Sequence, residues 1–232
     1  MIIEESKIIV ISLGGSLIYS GCIDIIFLKN FKEFILSEIE TGKRFVIVTS
    51  GGKICRQYQS ALAQISPGAT KEAKNWLGCK VTQLNAILLK HIFGDFATII
   101  PLFDQKNNIA WDTPIYLGAG FEPGHSTDMD TVLLTETVGA KKIINLSNIE
   151  FLYNKDPKKY KDAKKITYSS WDQLIEKKKK KWFPGLNVPF DPIAAKKAKE
   201  LNLKVAIIAG KNLDQLSLFL ENSKFIGTKI SS

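Results

Sequence analysis

The segments KIIVISLGGS (residues 7–16) and RFVIVTSGGK (residues 44–53) decide how this chain folds. Each opens on a short run rich in β-branched residues and ends on a glycine pair. Such runs, Lys7–Leu13 and Arg44–Thr49, read as strands buried on both faces, and the glycines after them as strand-to-helix turns. Between them Phe27, Leu28, Phe31, Phe34, Ile35 and Ile39 recur at helical spacing, while Lys29, Lys32, Glu33 and Glu38 fill the other face. The same alternation continues outward. A helix follows Gly52 and a second covers Lys71 to Phe93. Strands are predicted at Thr98–Leu102 and Ile115–Leu117, then a helix at Thr127–Val138 and a strand at Lys142–Leu146. Ser170 with Gln173 makes a capping box ahead of a helix at Trp171. A helix at Asp191–Asn202, a strand at Lys204–Ala209 and a helix at Leu213–Asn222 complete the series. Strand-helix alternation of this kind predicts an α/β fold, a three-layer α/β/α sandwich around a mainly parallel sheet.

The chain of 232 residues, 45% hydrophobic and 24% charged, is long enough to bury a full core as one domain, 1–232. No apolar run approaches the ~20 residues that cross a bilayer. Glu4 and Glu5 give the N-terminus the wrong charge for a secretory signal. Cys22, Cys55 and Cys79 have no CxxC spacing and read as reduced thiols, so a cytoplasmic protein is expected. The net charge of +9 suits nucleic acid, acidic lipid or small anions. The lysine run Lys177–Lys181 reads as a solvated helix end, and no aromatic-basic motif accompanies it. The charge therefore decides little by itself, and neither nucleic acid nor membrane is expected as a partner. The segments from Asp156-Pro157 to Lys165 and from Phe183 to Pro189 read as mobile loops. On the helix Lys71–Phe93, the residues Trp76, Leu77, Val81, Leu84 and Leu88 are expected in the core rather than at an interface.

In open α/β sheets ligands gather at the C-terminal ends of the strands, where loops deliver backbone N–H groups and helix N-termini. Three such loops stand out: Gly14-Gly15-Ser16, Ser50-Gly51-Gly52-Lys53, and Gly124-His125-Ser126-Thr127-Asp128, the last preceded by Gly118, Gly120 and Pro123. Glycine lets amides approach phosphate oxygens with no Cβ in the way. One glycine pair is ordinarily a tight turn, but three loops in corresponding places point to phosphate binding. The chain has no GxxxxGK[ST], which excludes a P-loop. Gly118-Ala119-Gly120 is followed by Glu122-Pro123-Gly124, which puts the last glycine of a dinucleotide fingerprint one place late. Arg56 can fork two oxygens of one phosphate, which Lys53 cannot.

These residues resemble the amino acid kinase family, and within it the archaeal-type uridylate (UMP) kinases. The resemblance runs in order from Ile8 to Ile230: GGS at Gly14–Ser16, GGKxxRxY at Gly51–Tyr58, PGHSTD at Pro123–Asp128, SNxxxxYxxDP from Ser147 to Pro157, DPxAAK at Asp191–Lys196 and the closing Gly227–Ile230. It implies ATP-dependent phosphorylation of UMP to UDP in pyrimidine nucleotide metabolism, with Mg²⁺ between the phosphates and no protein metal-ligand set. Gly15, Ser16, Gly52, Arg56, Ser147, Asn148, Tyr153 and Asp156 match positions on the ATP side. Gly51, Asn75, Phe121, Glu122, Pro123, Gly124, His125, Ser126 and Thr127 match the acceptor side. Arg56, Asp128 and Asp191 are the candidate catalytic residues, the two aspartates orienting groups around the phosphates or, equally, capping the helices they precede. His125 is read as a turn residue whose backbone matters more than its ring.

The resemblance further implies approximate lobes at 1–118 (acceptor side) and 119–232 (ATP side), and a homo-oligomer, dimer or hexamer. The chain departs from the family at four places. Ser12 stands where many members have lysine, though archaeal-type uridylate kinases lack it too. Ser50 replaces the first glycine of GGG, Asn75 an aspartate that grips the ribose, and Glu150-Phe151 an Asp-Gly turn. A kinase-fold relative with another small acceptor, or a non-catalytic nucleotide- or anion-binding protein, is the alternative expectation.

Overall fold

The computed structural model describes residues 7–100, 110–120, 122–155, 157, 159–178 and 190–232. Its first strand, β1 (Ile8–Leu13), has every residue buried and lies between β2 (Arg44–Thr49) and β5 (Lys142–Ser147), parallel to both. On one side β2 pairs with β4 (Ile115–Gly118), and β4 with β3 (Ala97–Ile99), again in parallel. On the other side β5 pairs in parallel with β9 (Lys204–Ala209). The closing strand β10 (Thr228–Ser231) runs antiparallel to β9 and parallel to β8 (Tyr168–Ser170). The eight strands follow the order β3-β4-β2-β1-β5-β9-β10-β8. A separate ribbon joins β6 (Leu152–Tyr153) to β7 (Lys165–Ile166).

Strand side chains alternate between faces, and that alternation builds two cores. Ile9, Ile11 and Leu13 of β1 face α1 (Gly15–Ile18), α2 (Ile25–Glu40), α4 (Lys71–Phe93) and α8 (Leu213–Leu220). Ile8 and Val10 face α5 (Thr127–Thr137), α6 (Trp171–Lys178) and α7 (Pro192–Glu200). The expected three-layer sandwich is what forms. Trp171 is fully buried against Phe190, with ring centroids 5.4 Å apart, and its indole N–H donates to the Leu203 carbonyl at 2.9 Å. A buried indole needs such a partner to avoid a desolvation penalty of about 1–3 kcal/mol.

Helix starts follow local chemistry. Ser170 and Gln173 make the reciprocal capping box, at 3.1 and 3.2 Å. Thr70, Ser126 and Asp191 cap α4, α5 and α7 through their side-chain oxygens. The helix α3 (Gly52–Ile65) buries no residue and lies over α4.

The outer face of α4 differs from the core expectation. Val81 is buried, but Trp76 and Leu84 are 40% and 60% exposed, because the buried stripe runs through Cys79, Thr82, Asn85, Ala86, Leu89 and Phe93 instead. Lys179–Lys181, the loop Phe183–Pro189, and residues Phe121 and Asp156 lie outside the described residues.

Candidate active site

The strand order changes direction at β1, since β2 lies on one side of it and β5 on the other. Loops leaving the C-terminal ends of these strands diverge there and open a crevice, the usual ligand position in such sheets. A cleft of about 440 Å³ occupies it, lined by the loops after β1, β2, β4 and β5, by α4 and by the starts of α5 and α7. All three glycine loops of the sequence therefore converge on one site.

The first two loops touch backbone to backbone. A Cβ on Gly15 would sit 2.2 Å from the Ser50 carbonyl oxygen and 2.6 Å from the Gly52 nitrogen. A Cβ on Gly52 would sit 2.3 Å from the Gly15 carbonyl carbon, and its φ of +63° independently favours glycine. These glycines let two phosphate-type loops share one edge.

The loop after β4 is tied to the same place. The hydroxyls of Ser50 and Thr127 are 3.0 Å apart, so the serine that departs from a glycine triplet bridges two loops. Asn85 of α4 donates to the Ser50 carbonyl at 2.9 Å, and Gln83 to the Gly120 carbonyl at 3.0 Å. Thr82 accepts from the Gly120 N–H at 3.0 Å and donates to the Cys79 carbonyl at 2.7 Å. The helix α4 thus serves as a rigid floor under two loops, and its N-terminal part brings Asn75, Gly78 and Cys79 to the cleft wall.

Arg56 sits one turn into α3 on the cleft wall, and none of the ion pairs among the described residues engages it. Lys53 turns away and donates to the Ser20 carbonyl at 3.1 Å, in keeping with the choice of arginine over lysine. Cys55 and Cys79 also line the cleft, and burial pushes both thiols up from their ordinary value. They remain protonated and serve as lining rather than as nucleophiles.

The two candidate aspartates form one hydrogen-bonded unit. The Ser126 hydroxyl donates to Asp191, while the Met129 N–H donates to Ser126 at 3.1 Å. Asp191 accepts from the Ile193 and Ala194 N–H groups at 2.7 and 3.1 Å, and its own N–H donates to Asp128 at 3.0 Å. Capping is therefore real for Asp191. The same contacts lock the start of α5, whose first residues line the cleft, to the start of α7.

Most of the residues expected in a site are brought together. Gly15, Ser16, Gly51, Gly52, Arg56, Asn75, Pro123, Gly124, His125, Ser126, Thr127, Asp128, Ser147, Asn148 and Asp191 all line the cleft. Ser12, the departure from a family lysine, is buried and lines it as well. Glu122 and Tyr153 do not line it; Tyr153 stands half-buried on β6. Beside it Glu150 pairs with Lys165 at 3.1 Å, and the Lys165 ammonium lies 4.5 Å from the Phe151 ring centre. The pair that replaces an Asp-Gly turn is thus anchored to β7.

Of the lining residues that the sequence did not mark, Asp130 is the charged one. Asp130 is 2% exposed. Burial, then the carboxylates of Asp128, Asp191 and Glu122, push its carboxyl up to about 7. Its signal was available: Asp130 precedes buried Leu134 by four residues on α5, which puts a carboxyl on an apolar stripe.

Loops that cradle phosphates on a parallel sheet, with an arginine and a helix start beside them, define a phosphoryl-binding class of α/β protein. Residues 7–209 match the amino acid kinase family, and the chain belongs to that family. It is 33% identical to a uridylate kinase of Thermoplasma volcanium over 96% of both chains. It is 32% identical to a uridylate kinase of Methanobrevibacter smithii, over 97% of this chain and 99% of that one. The solved uridylate kinase of Archaeoglobus fulgidus superposes with a TM-score of 0.78 at 28% identity, covering 97% of this chain and all of that one.

Proposed function

We propose that this protein is a nucleoside monophosphate kinase that transfers the γ-phosphate of ATP to UMP, giving UDP and ADP. The observation that carries the reading is the backbone contact between Gly15 and Gly52 inside a cleft also faced by Arg56 and the start of α5. Relatives spanning nearly the whole chain and named uridylate kinase support the choice of acceptor.

Phosphoryl transfer asks for positioning and charge neutralisation rather than covalent help from the protein. An oxygen of the UMP phosphate forms a bond to the γ-phosphorus as the bond from that phosphorus to the β-bridging oxygen breaks and ADP leaves. The acceptor phosphate is already nucleophilic near neutral pH, so no histidine or carboxylate base is required. Gly15, Ser16 and Gly52 hold the donor phosphates through backbone amides, and Ser147 and Asn148 hold the adenine nucleotide. Gly51, Asn75, Pro123, Gly124, His125, Ser126 and Thr127 form the acceptor side, to which we also assign Phe121 and Glu122; Tyr153 and Asp156 are assigned to the ATP side. Arg56 neutralises the transferring group, and Asp128 with Asp191 keeps the two helix starts aimed at it.

No cluster of three His, Cys, Asp or Glu residues able to hold a metal exists among the described residues. On this reading Mg²⁺ would arrive with the triphosphate rather than on a set of protein ligands. When bound, Mg²⁺ would offset charge on the phosphates.

The chain works as one domain whose approximate lobes, 1–118 and 119–232, meet after β4, with the acceptor loop crossing between them. No helix among the described residues is long and apolar enough to cross a membrane. A cytoplasmic location belongs to this reading, as does assembly into a dimer or hexamer, for which the exposed Trp76, Leu84 and Ile87 of α4 offer apolar surface.

Ser50, Asn75 and Glu150-Phe151 keep a second reading in play, a relative with another acceptor or none. A coupled ADP-release assay across UMP, CMP, acetylglutamate, carbamate and isopentenyl phosphate separates the readings. Turnover with UMP is expected. Turnover only with a non-nucleotide replaces the acceptor, and none with any acceptor replaces the enzyme.

A further inference from the structure

Among the described residues, two buried side-chain oxygens have no hydrogen-bond partner: Glu38 Oε2 and Asp130 Oδ1. Glu38 Oε2 lies 2.6 Å from the Lys43 ammonium, so its charge is met. Asp130 Oδ1 has the His125 ring nitrogen 3.8 Å away, beyond hydrogen-bond reach. A buried, unsatisfied carboxyl oxygen is costly and calls for an explanation. Asp130 lines the cleft, and so does Cys79, whose thiol feels its charge. Cys79 follows Asn75 by one turn of α4, which places Asp130 at the acceptor end rather than among the donor phosphates.

We propose that Asp130 is a binding residue for the acceptor nucleotide, its unpartnered oxygen bonding the nucleoside end. The inference rests on the UMP reading. A protonated carboxyl presents one donor and one acceptor side by side, whereas a carboxylate presents acceptors only. The first pattern pairs with the N3–H and O4 edge of uracil; the second leaves a lone pair facing O4. The surroundings favour the protonated form. Asp128, Glu122 and His125 face Asp130 from its own helix and loop, Asp191 from the start of α7, and the Cys79 thiol from α4. The strands beneath bring Ser12 and Asn145 to the cleft, neither of which titrates. An incoming phosphate adds negative charge to this group and makes the proton harder to lose.

Isothermal titration of UMP into the full chain tests this, using the wild type, Asp130→Asn and Asp130→Val at pH 6.5 and pH 8.5. The wild-type Kd is expected to weaken by about 3- to 10-fold more than that of Asp130→Asn over that interval, because asparagine keeps a donor and an acceptor without titrating. The phosphate of UMP itself titrates near pH ~6 and contributes equally to all three proteins. Asp130→Val should bind UMP about tenfold more weakly at pH 6.5, with the Kd for an unreactive ATP analogue unchanged. Wild-type binding should also take up protons, read from two buffers of different ionisation enthalpy. Equal UMP affinity in wild type and Asp130→Val, or one shared pH slope, overturns the proposal. UMP binding without turnover overturns only the kinase reading, and no UMP binding at any pH overturns both.

Discussion

The two ends of the cleft are built from different materials. At the end proposed for the donor phosphates the protein presents backbone: Gly15 and Gly52 pack so closely that neither has room for a methyl group. At the end proposed for the acceptor it presents side chains on rigid supports, with Asn75 and Cys79 on α4 and Asp130 on α5. Backbone recognition depends on strand register and loop shape, so it persists only while the loops keep their glycines. Side-chain recognition can change one residue at a time without moving the chain. Asn75 and Asp130 lie in the second region, and Ser50, the exception near the first, keeps its loop in place through Thr127.

The largest effect should come where charge develops. Arg56→Ala is expected to lower kcat by about 10²–10³, read in the coupled assay, if Arg56 neutralises the transferring group. An unchanged kcat would remove that role and weaken the contrast between the ends. Gly15→Ala comes next. Its Cβ meets Ser50 and Gly52 backbone atoms that cannot swing aside, so kcat/KM should fall about a hundredfold, with about 1–3 kcal/mol of stability lost in urea unfolding.

The acceptor end should respond through pH. Asp130 holds its proton up to about 7 when folded, against an ordinary 3.8. Between those values the folded protein binds the extra proton, so stability falls as pH rises from about 4 to about 7 and the full cost persists above. Asp130→Asn should therefore stabilise the protein by about 2–4 kcal/mol at pH 8 and by nothing near pH 4. Thermal unfolding at the two pH values reads the difference. Asn75→Asp should have the smallest effect, tightening the KM for UMP by about threefold through a charge-assisted bond to the ribose.

Much of this fold was legible because strand and helix periods were sharp. Arg44–Thr49, Lys71–Phe93 and Lys204–Ala209 form over the very residues that the pattern marks. The strand predicted at Thr98–Leu102 forms at Ala97–Ile99, while Pro101 and Leu102 lie outside the described residues. The ribbon of β6 and β7 was missed because two-residue strands carry no period. Trp76 and Leu84 were misassigned because an apolar residue on a helix does not declare which face packs. At the site, glycine loops announce themselves through composition. Asp130 is marked only by its spacing to Leu134, and its meaning depends on what α4 and α7 bring beside it.

Phosphoryl transfer to a nucleotide is tested most directly by product analysis. The wild-type chain incubated with ATP, Mg²⁺ and UMP should form UDP and ADP in equal amounts, resolved by ion-exchange chromatography. ADP appearing at the same rate with and without UMP, and no UDP, would contradict the account.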